Sequence, residues 1–137
     1  MSDTKTLYTA KVHVTGGREG AARSSDGRLD VQLAVPGSAG AGTNPEQLFA
    51  AGWSACFEGA MGIAAKSKGI TLPADLAIDA EVDLRHGDEG YSLAARLNVS
   101  VPGIEPEIAR QLIEAAHRTC PYSKAIKGNI DAVVALV

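Results

Sequence analysis

The sequence predicts an α+β fold, and three observations carry that prediction. Apolar and polar residues alternate through the first third of the chain. A long, predominantly apolar segment with helix-start signals follows, and after it the alternation returns. The resulting order is βββ-α-ββ-α-β. With 137 residues, 45% of them apolar, and neither an internal repeat nor a linker, residues 1–137 read as one domain with a real core.

The first strand signal is Tyr8, Ala10, Val12 and Val14, alternating with polar residues and stopped by Thr15-Gly16-Gly17. Asp26-Gly27 predicts a type I′ hairpin turn, which requires positive φ at both residues. Leu29, Val31, Leu33 and Val35 then alternate strictly, so the N-terminal third reads as a three-stranded antiparallel piece. Pro36 to Gly42 is a flexible loop. Asn44, Pro45 and Glu46 supply a cap, a first helical residue of fixed φ and a carboxylate for the positive end of the dipole.

The helix that starts there is expected to run to Gly69. Leu48, Ala50, Ala51, Gly52, Ala55, Gly59, Ala60 and Gly62 make it small or apolar almost all round, which predicts burial on every side. Each helical glycine costs about 1 kcal/mol relative to alanine, so close approach by another backbone, a second helix, is the expected compensation. Leu76 to Leu84 and Tyr91 to Val101 alternate around a turn at residues 86–90, giving a second hairpin. Pro106 opens another helix, with Ile108, Leu112, Ala115 and Ala116 on one face. Pro121 cannot continue its hydrogen bonding, so Cys120 falls at a break. A turn at Ser123–Lys127 and a strand from Ile130 to Val137 complete the chain.

The net charge is −3 and no Lys/Arg block occurs, which argues against nucleic acid and against an anionic membrane surface as partners. No apolar run is expected to span a membrane, and the polar start Met-Ser-Asp-Thr-Lys-Thr points to a cytoplasmic protein. Two cysteines are too few for a disulfide scaffold, and a reducing compartment keeps them as thiols.

Those cysteines, Cys56 and Cys120, are the chemically informative residues. If the fold brings them together the chain holds a redox dithiol; if not, it holds two small buried hydrophobes. Cys56 falls about three turns into its helix, too deep for the dipole to lower its pKa, and apolar burial alone leaves an inert thiol. A reactive Cys56 therefore needs a cation from elsewhere. Arg18, following Gly16-Gly17, is the candidate, with Arg23, Arg28, Arg85 and Lys66 as rivals. Glu46 lies about 15 Å from Cys56 along one straight helix. The two share a site only if a second copy of the helix supplies one of them; otherwise Glu46 serves the helix dipole.

Phe49, Trp53, Phe57 and Met61 recur every four residues, which means core packing or, beside Cys56, the wall of an apolar substrate pocket. His117 and Cys120 form a His-x-x-Cys, but no further ligand pair at metal spacing accompanies them, so neither a metal nor another cofactor is expected. Ser25, Ser54 and Ser123 lack a nucleophile elbow, and the loop at 37–42 lacks the ending of a phosphate-binding loop.

Several blocks together resemble a known family: Thr-Gly-Gly-Arg (15–18), Ser-Ser-Asp-Gly (24–27), Gly-Thr-Asn-Pro-Glu-Gln-Leu-Phe-Ala-Ala-Gly (42–52), Ala-Cys-Phe (55–57), Ala-His-x-x-Cys-Pro-Tyr-Ser (116–123) and Gly-Asn-Ile (128–130). In this order they are similar to the organic hydroperoxide resistance proteins, the Ohr branch of the Ohr/OsmC superfamily. The resemblance implies an intertwined homodimer of two-layer α+β subunits around a central buried helix, with two sites at the subunit interface. It further implies thiol peroxidase activity on organic hydroperoxides, with Cys56 as the peroxide-attacking and Cys120 as the resolving cysteine. Arg18 would activate Cys56, Glu46 would hold Arg18, and lipoyl groups carried on proteins would be the reductant. The loop at 37–42 is shorter than the family's pattern and Glu58 is more polar, departures that affect pocket access. The residues alone also allow a non-enzymatic binder of apolar ligands, or a peroxide sensor.

Overall fold

The computed structural model describes residues 3–137, which form two compact units, one ending at Pro45 and the other running from Glu46 to Val137. In the first unit, β1 (Val12–Thr15), β2 (Ala21–Ser24) and β3 (Asp30–Gln32) make an antiparallel sheet with β2 in the middle. Tyr8 and Ala10 precede β1 instead of belonging to it. A 3₁₀ turn, Gly17–Glu19, links β1 to β2 and carries Arg18. Gly16 and Gly17 have φ of 74° and 57°, a left-handed pair that side chains resist, so the glycines decide how Arg18 leaves the strand.

The β2–β3 connection is not the expected type I′ turn. Of its residues only Gly27 has positive φ, at 75°. Asp26 instead uses its carboxylate, accepting from Ser24 Oγ at 2.6 Å and from the Arg28 amide at 3.0 Å. Side-chain bonding of this kind closes a wider loop without requiring Asp26 to adopt a left-handed conformation. The strand is also shorter than its alternation suggests, because Leu33 leaves β3 to bridge in parallel to Thr43.

The second unit is built on α1 (Pro45–Ser67), a continuous helix that stops two residues before Gly69. Trp53, Phe57, Ala60, Met61 and Ala65 are buried along one face. Each large apolar side chain fully buried contributes about 1.5–3 kcal/mol. The other side does not match the expectation of all-round burial: Ala51, Ala55, Gly59 and Ile63 are exposed, Ile63 to 75%. The reason is geometric, since the sheet and the second helix cover one side of α1 only. By length and composition α1 would suffice to cross a membrane, contrary to the sequence expectation, but here its large side chains form the core.

That core is completed by β4 (Ala77–Gly87), β5 (Gly90–Ser100) and β6 (Asp131–Leu136), in the order β4-β5-β6. The β4–β5 pair is antiparallel and β5–β6 parallel, in a register that aligns Ile78, Val99 and Leu136, then Ala80, Leu97 and Val134, then Val82, Ala95 and Ala132. These three rows pack against α1 and against α2 (Pro106–Thr119), which contributes Ala109, Leu112, Ile113 and Ala116. The Glu105 carboxylate caps α2 by accepting from the amides of Glu107 and Ile108. The segment after Cys120 is a separate short helix, α3 (Pro121–Ile126), an element that the order βββ-α-ββ-α-β lacks. On the other face of the sheet Arg96 forks onto Asp83, with two bonds of 2.9 Å, and reaches Glu81 at 3.1 Å.

Candidate active site

Cys120 stands at the corner between α2 and α3. As the residue before Pro121 it is driven out of helical conformation, to φ −59° and ψ 122°, so one helix ends and another begins across it. Its amide donates back to the Ala116 carbonyl at 2.7 Å, and its own carbonyl accepts from the Lys124 amide at 3.0 Å. Both neighbouring turns thus hold it, and its side chain is wholly buried.

Its thiol donates to Cys56 Sγ across 3.3 Å, and both cysteines are free thiols. A disulfide requires about 2.05 Å between sulfurs, so bond formation asks for an approach of roughly 1.2 Å. Cys56 is the more accessible of the two. Burial pushes its pKa up, an amide hydrogen bond from Tyr122 opposes this, and the neighbouring Cys120 raises it further. The net direction is upward, which holds Cys56 as a neutral thiol unless a cation offsets it.

Aromatic rings lie around the pair. Phe49 stacks on Trp53 at 5.9 Å and on Tyr122 at 6.2 Å, while Phe57 meets the His117 ring at 6.2 Å. Trp53, Phe57 and Met61 are entirely enclosed, so along most of its length the stripe is core packing. Phe49 is only partly buried. The glycine-rich surface of α1 finds a partner at Gly52 alone: a Cβ there would lie 2.8 Å from Tyr122 Oη, whereas one at Gly59 or Gly62 would meet nothing within 4 Å. Within the single chain the close neighbour is therefore a tyrosine ring.

Glu46 lies in the first turn of α1, about 15 Å along the axis from Cys56. Arg18 is exposed on the 3₁₀ turn of the first unit. Its arginine rivals face carboxylates: Arg23 lies 4.0 Å from Asp30, Arg28 lies 3.8 Å from Asp26, and Arg85 lies 3.6 Å from Asp131. Lys66 is in the last turn of α1, about 15 Å beyond Cys56. His117 turns its Nδ1 to Ser123 Oγ at 3.0 Å, and Trp53 Nε1 donates to the same hydroxyl at 3.0 Å. Tyr122, Ser123 and His117 were not legible as site residues, because nothing in their spacing reveals contacts with residues 49–57.

The OsmC-like protein family model matches residues 35–134. The organic hydroperoxide resistance protein of Xanthomonas axonopodis pv. citri is 45% identical over 98% of both chains. This chain belongs to the OsmC-like family, in its organic hydroperoxide resistance (Ohr) branch. Solved Ohr structures agree. OhrB of Bacillus subtilis superposes with a TM-score of 0.90 at 42% identity, covering 96% of this chain and all of that one. An organic hydroperoxide resistance protein of Legionella pneumophila does so with 0.89 at 40% identity, covering 96% and 98%. The α+β fold is thus the Ohr fold, and the α3 turn carrying Cys-Pro-Tyr-Ser is part of this Ohr chain's path past its dithiol.

Proposed function

We propose that this Ohr-family chain confers resistance to organic hydroperoxides as a dithiol peroxidase of alkyl and fatty-acid hydroperoxides. The observation that carries the reading is the pair of free thiols 3.3 Å apart, beside a partly buried aromatic cluster. The Cys56 thiolate attacks the outer oxygen of R-O-O-H. The O–O bond breaks, the alkoxide takes a proton and leaves as R-OH, and Cys56 becomes a sulfenic acid. The Cys120 sulfur then displaces water from that sulfenic acid, forming the disulfide before a second peroxide can overoxidise Cys56. An external dithiol, for which the family implies lipoyl groups on proteins, reduces the enzyme by exchange.

Arg18 is the cation of the reading. It opposes the burial that raises the Cys56 pKa and hydrogen-bonds the peroxide as charge develops on the leaving oxygen. Glu46 orients Arg18 through an ion pair. The length of α1 between Glu46 and Cys56 supports an intertwined homodimer whose copies complete each other's sites in one dimerising domain. The exposed line of Ala51, Ala55, Gly59 and Ile63 gives that dimer a smooth helix face to bury. The cytoplasm, whose reducing conditions restore the thiols, suits this cycle.

Titration of the reduced protein with cumene hydroperoxide and with hydrogen peroxide, reading free thiols and intact mass, tests the reading. Both thiols and two hydrogens per chain should be lost at about one equivalent of the organic peroxide, and far more slowly with hydrogen peroxide. Two unreactive thiols in the folded protein would reject it.

A further inference from the structure

We infer that Ser123 is a positioning residue for the thiol pair: its buried hydroxyl ties the α2–α3 corner to α1 and thereby holds Cys120 against Cys56. Ser123 is 2% exposed, and it is the buried polar side chain of the core among the described residues. An unpartnered hydroxyl at such a place is destabilising, since it has given up its hydrogen bonds to water. This one has two partners, Trp53 Nε1 on α1 and His117 Nδ1 on α2, each at 3.0 Å. An indole N–H only donates, so Ser123 Oγ accepts from Trp53. The same oxygen also pairs with His117 Nδ1, so one hydroxyl bridges α1 and α2.

The placement of the three partners gives the joint its purpose. Trp53 precedes Cys56 by three residues, His117 precedes Cys120 by three, and Ser123 follows Cys120 by three. Each bond therefore acts within one helical turn of a thiol. Pro121 lacks an amide hydrogen, so the corner has one backbone donor fewer to fix it. Apolar packing around it is non-directional. The hydroxyl adds directional bonds that register α3 on α1, where sulfurs must close by roughly 1.2 Å. The value of this fixture for turnover rests on the peroxidase reading, whereas its effect on the dithiol is measurable without peroxide.

The test equilibrates the full chain with mixtures of oxidised and reduced dithiothreitol. Cys56 and Cys120 give up two hydrogens to the oxidised probe, forming the protein disulfide and the reduced probe, and the oxidised fraction is read by mass. Ser123→Ala should lower the equilibrium constant for disulfide formation by about tenfold, the scale of one hydrogen bond that holds the corner in register. Ser123→Thr, which keeps the hydroxyl, should restore most of it. Trp53→Phe, which keeps an aromatic ring and removes the donor, should shift the constant in the same direction as Ser123→Ala and serves if the alanine variant does not fold. A constant equal to that of the parent chain in folded Ser123→Ala or in Trp53→Phe would overturn the inference. Failure of the peroxidase reading would show separately, as thiols inert to cumene hydroperoxide while the variants still shift the dithiothreitol constant.

Discussion

Cys56 and Cys120 stand 64 residues apart in the chain and 3.3 Å apart at their sulfurs. The first lies in the middle of a core helix, while the second is fixed at a proline-enforced corner between two others. Neither local geometry needs the other. Their meeting follows from the shared core, in which α1 and α2 pack on the rows of the β4-β5-β6 sheet.

If that meeting is functional, the two cysteines should fail differently. Cys56→Ser should abolish consumption of cumene hydroperoxide. Cys120→Ser should consume about one equivalent and then gain further oxygen at Cys56, as sulfinic and sulfonic acids, instead of forming a disulfide. Intact-mass spectra after stoichiometric and excess peroxide separate these outcomes.

Arg18 should be visible through the pH dependence of Cys56. Burial moves this thiol upward, so losing a compensating cation moves it further in the same direction and shrinks the thiolate fraction at neutral pH. In a Cys120→Ser background, the pH midpoint of Cys56 alkylation by iodoacetamide should rise by about one unit or more in Arg18→Ala. An unchanged midpoint would remove Arg18 from the site.

Gly52→Ala tests the Tyr122 contact. The added Cβ would lie 2.8 Å from Tyr122 Oη, the far end of a half-exposed side chain that can swing away. Because alanine also favours the helix by about 1 kcal/mol, denaturant unfolding should change by no more than that amount. The displaced ring should nevertheless alter the rate of Cys56–Cys120 disulfide formation, measured with the same peroxide series.

The sheet's outer face predicts an acid response unrelated to the thiols. Hydrogen bonds and charge from Arg96 hold the Asp83 carboxyl below its usual pKa. A depressed carboxylate pKa stabilises the folded state above the unfolded pKa of about 4 and ceases to do so as pH falls through the lower folded value. Asp83→Asn should therefore be less stable than the parent chain near pH 7 in urea titrations, with the difference disappearing toward pH 2. A difference independent of pH would contradict this.

Much of the framework was legible because periodicity reports which side of an element meets the core. The alternations of Leu76–Leu84 and Tyr91–Val101 became β4 and β5, and Pro106 and Pro121 mark the starts of α2 and α3. The Asp26-Gly27 turn was misread because a carboxylate hydrogen bond replaced the backbone conformation that the dipeptide suggests. The all-round apolar character of α1 does not say which side the single chain covers, and that chain covers the Trp53–Phe57–Met61 side.

By itself the sequence determined every strand and α-helix but α3, and the residues able to do sulfur chemistry, because these depend on local conformation and side-chain type. Only the tertiary structure decided that Cys120 faces Cys56, that Tyr122 rests on Gly52, and that Trp53 and His117 converge on Ser123. Apart from His117 and Ser123, six residues apart, these pairings cross dozens of residues. They are fixed by how complementary surfaces pack in three dimensions, which no spacing along the chain encodes.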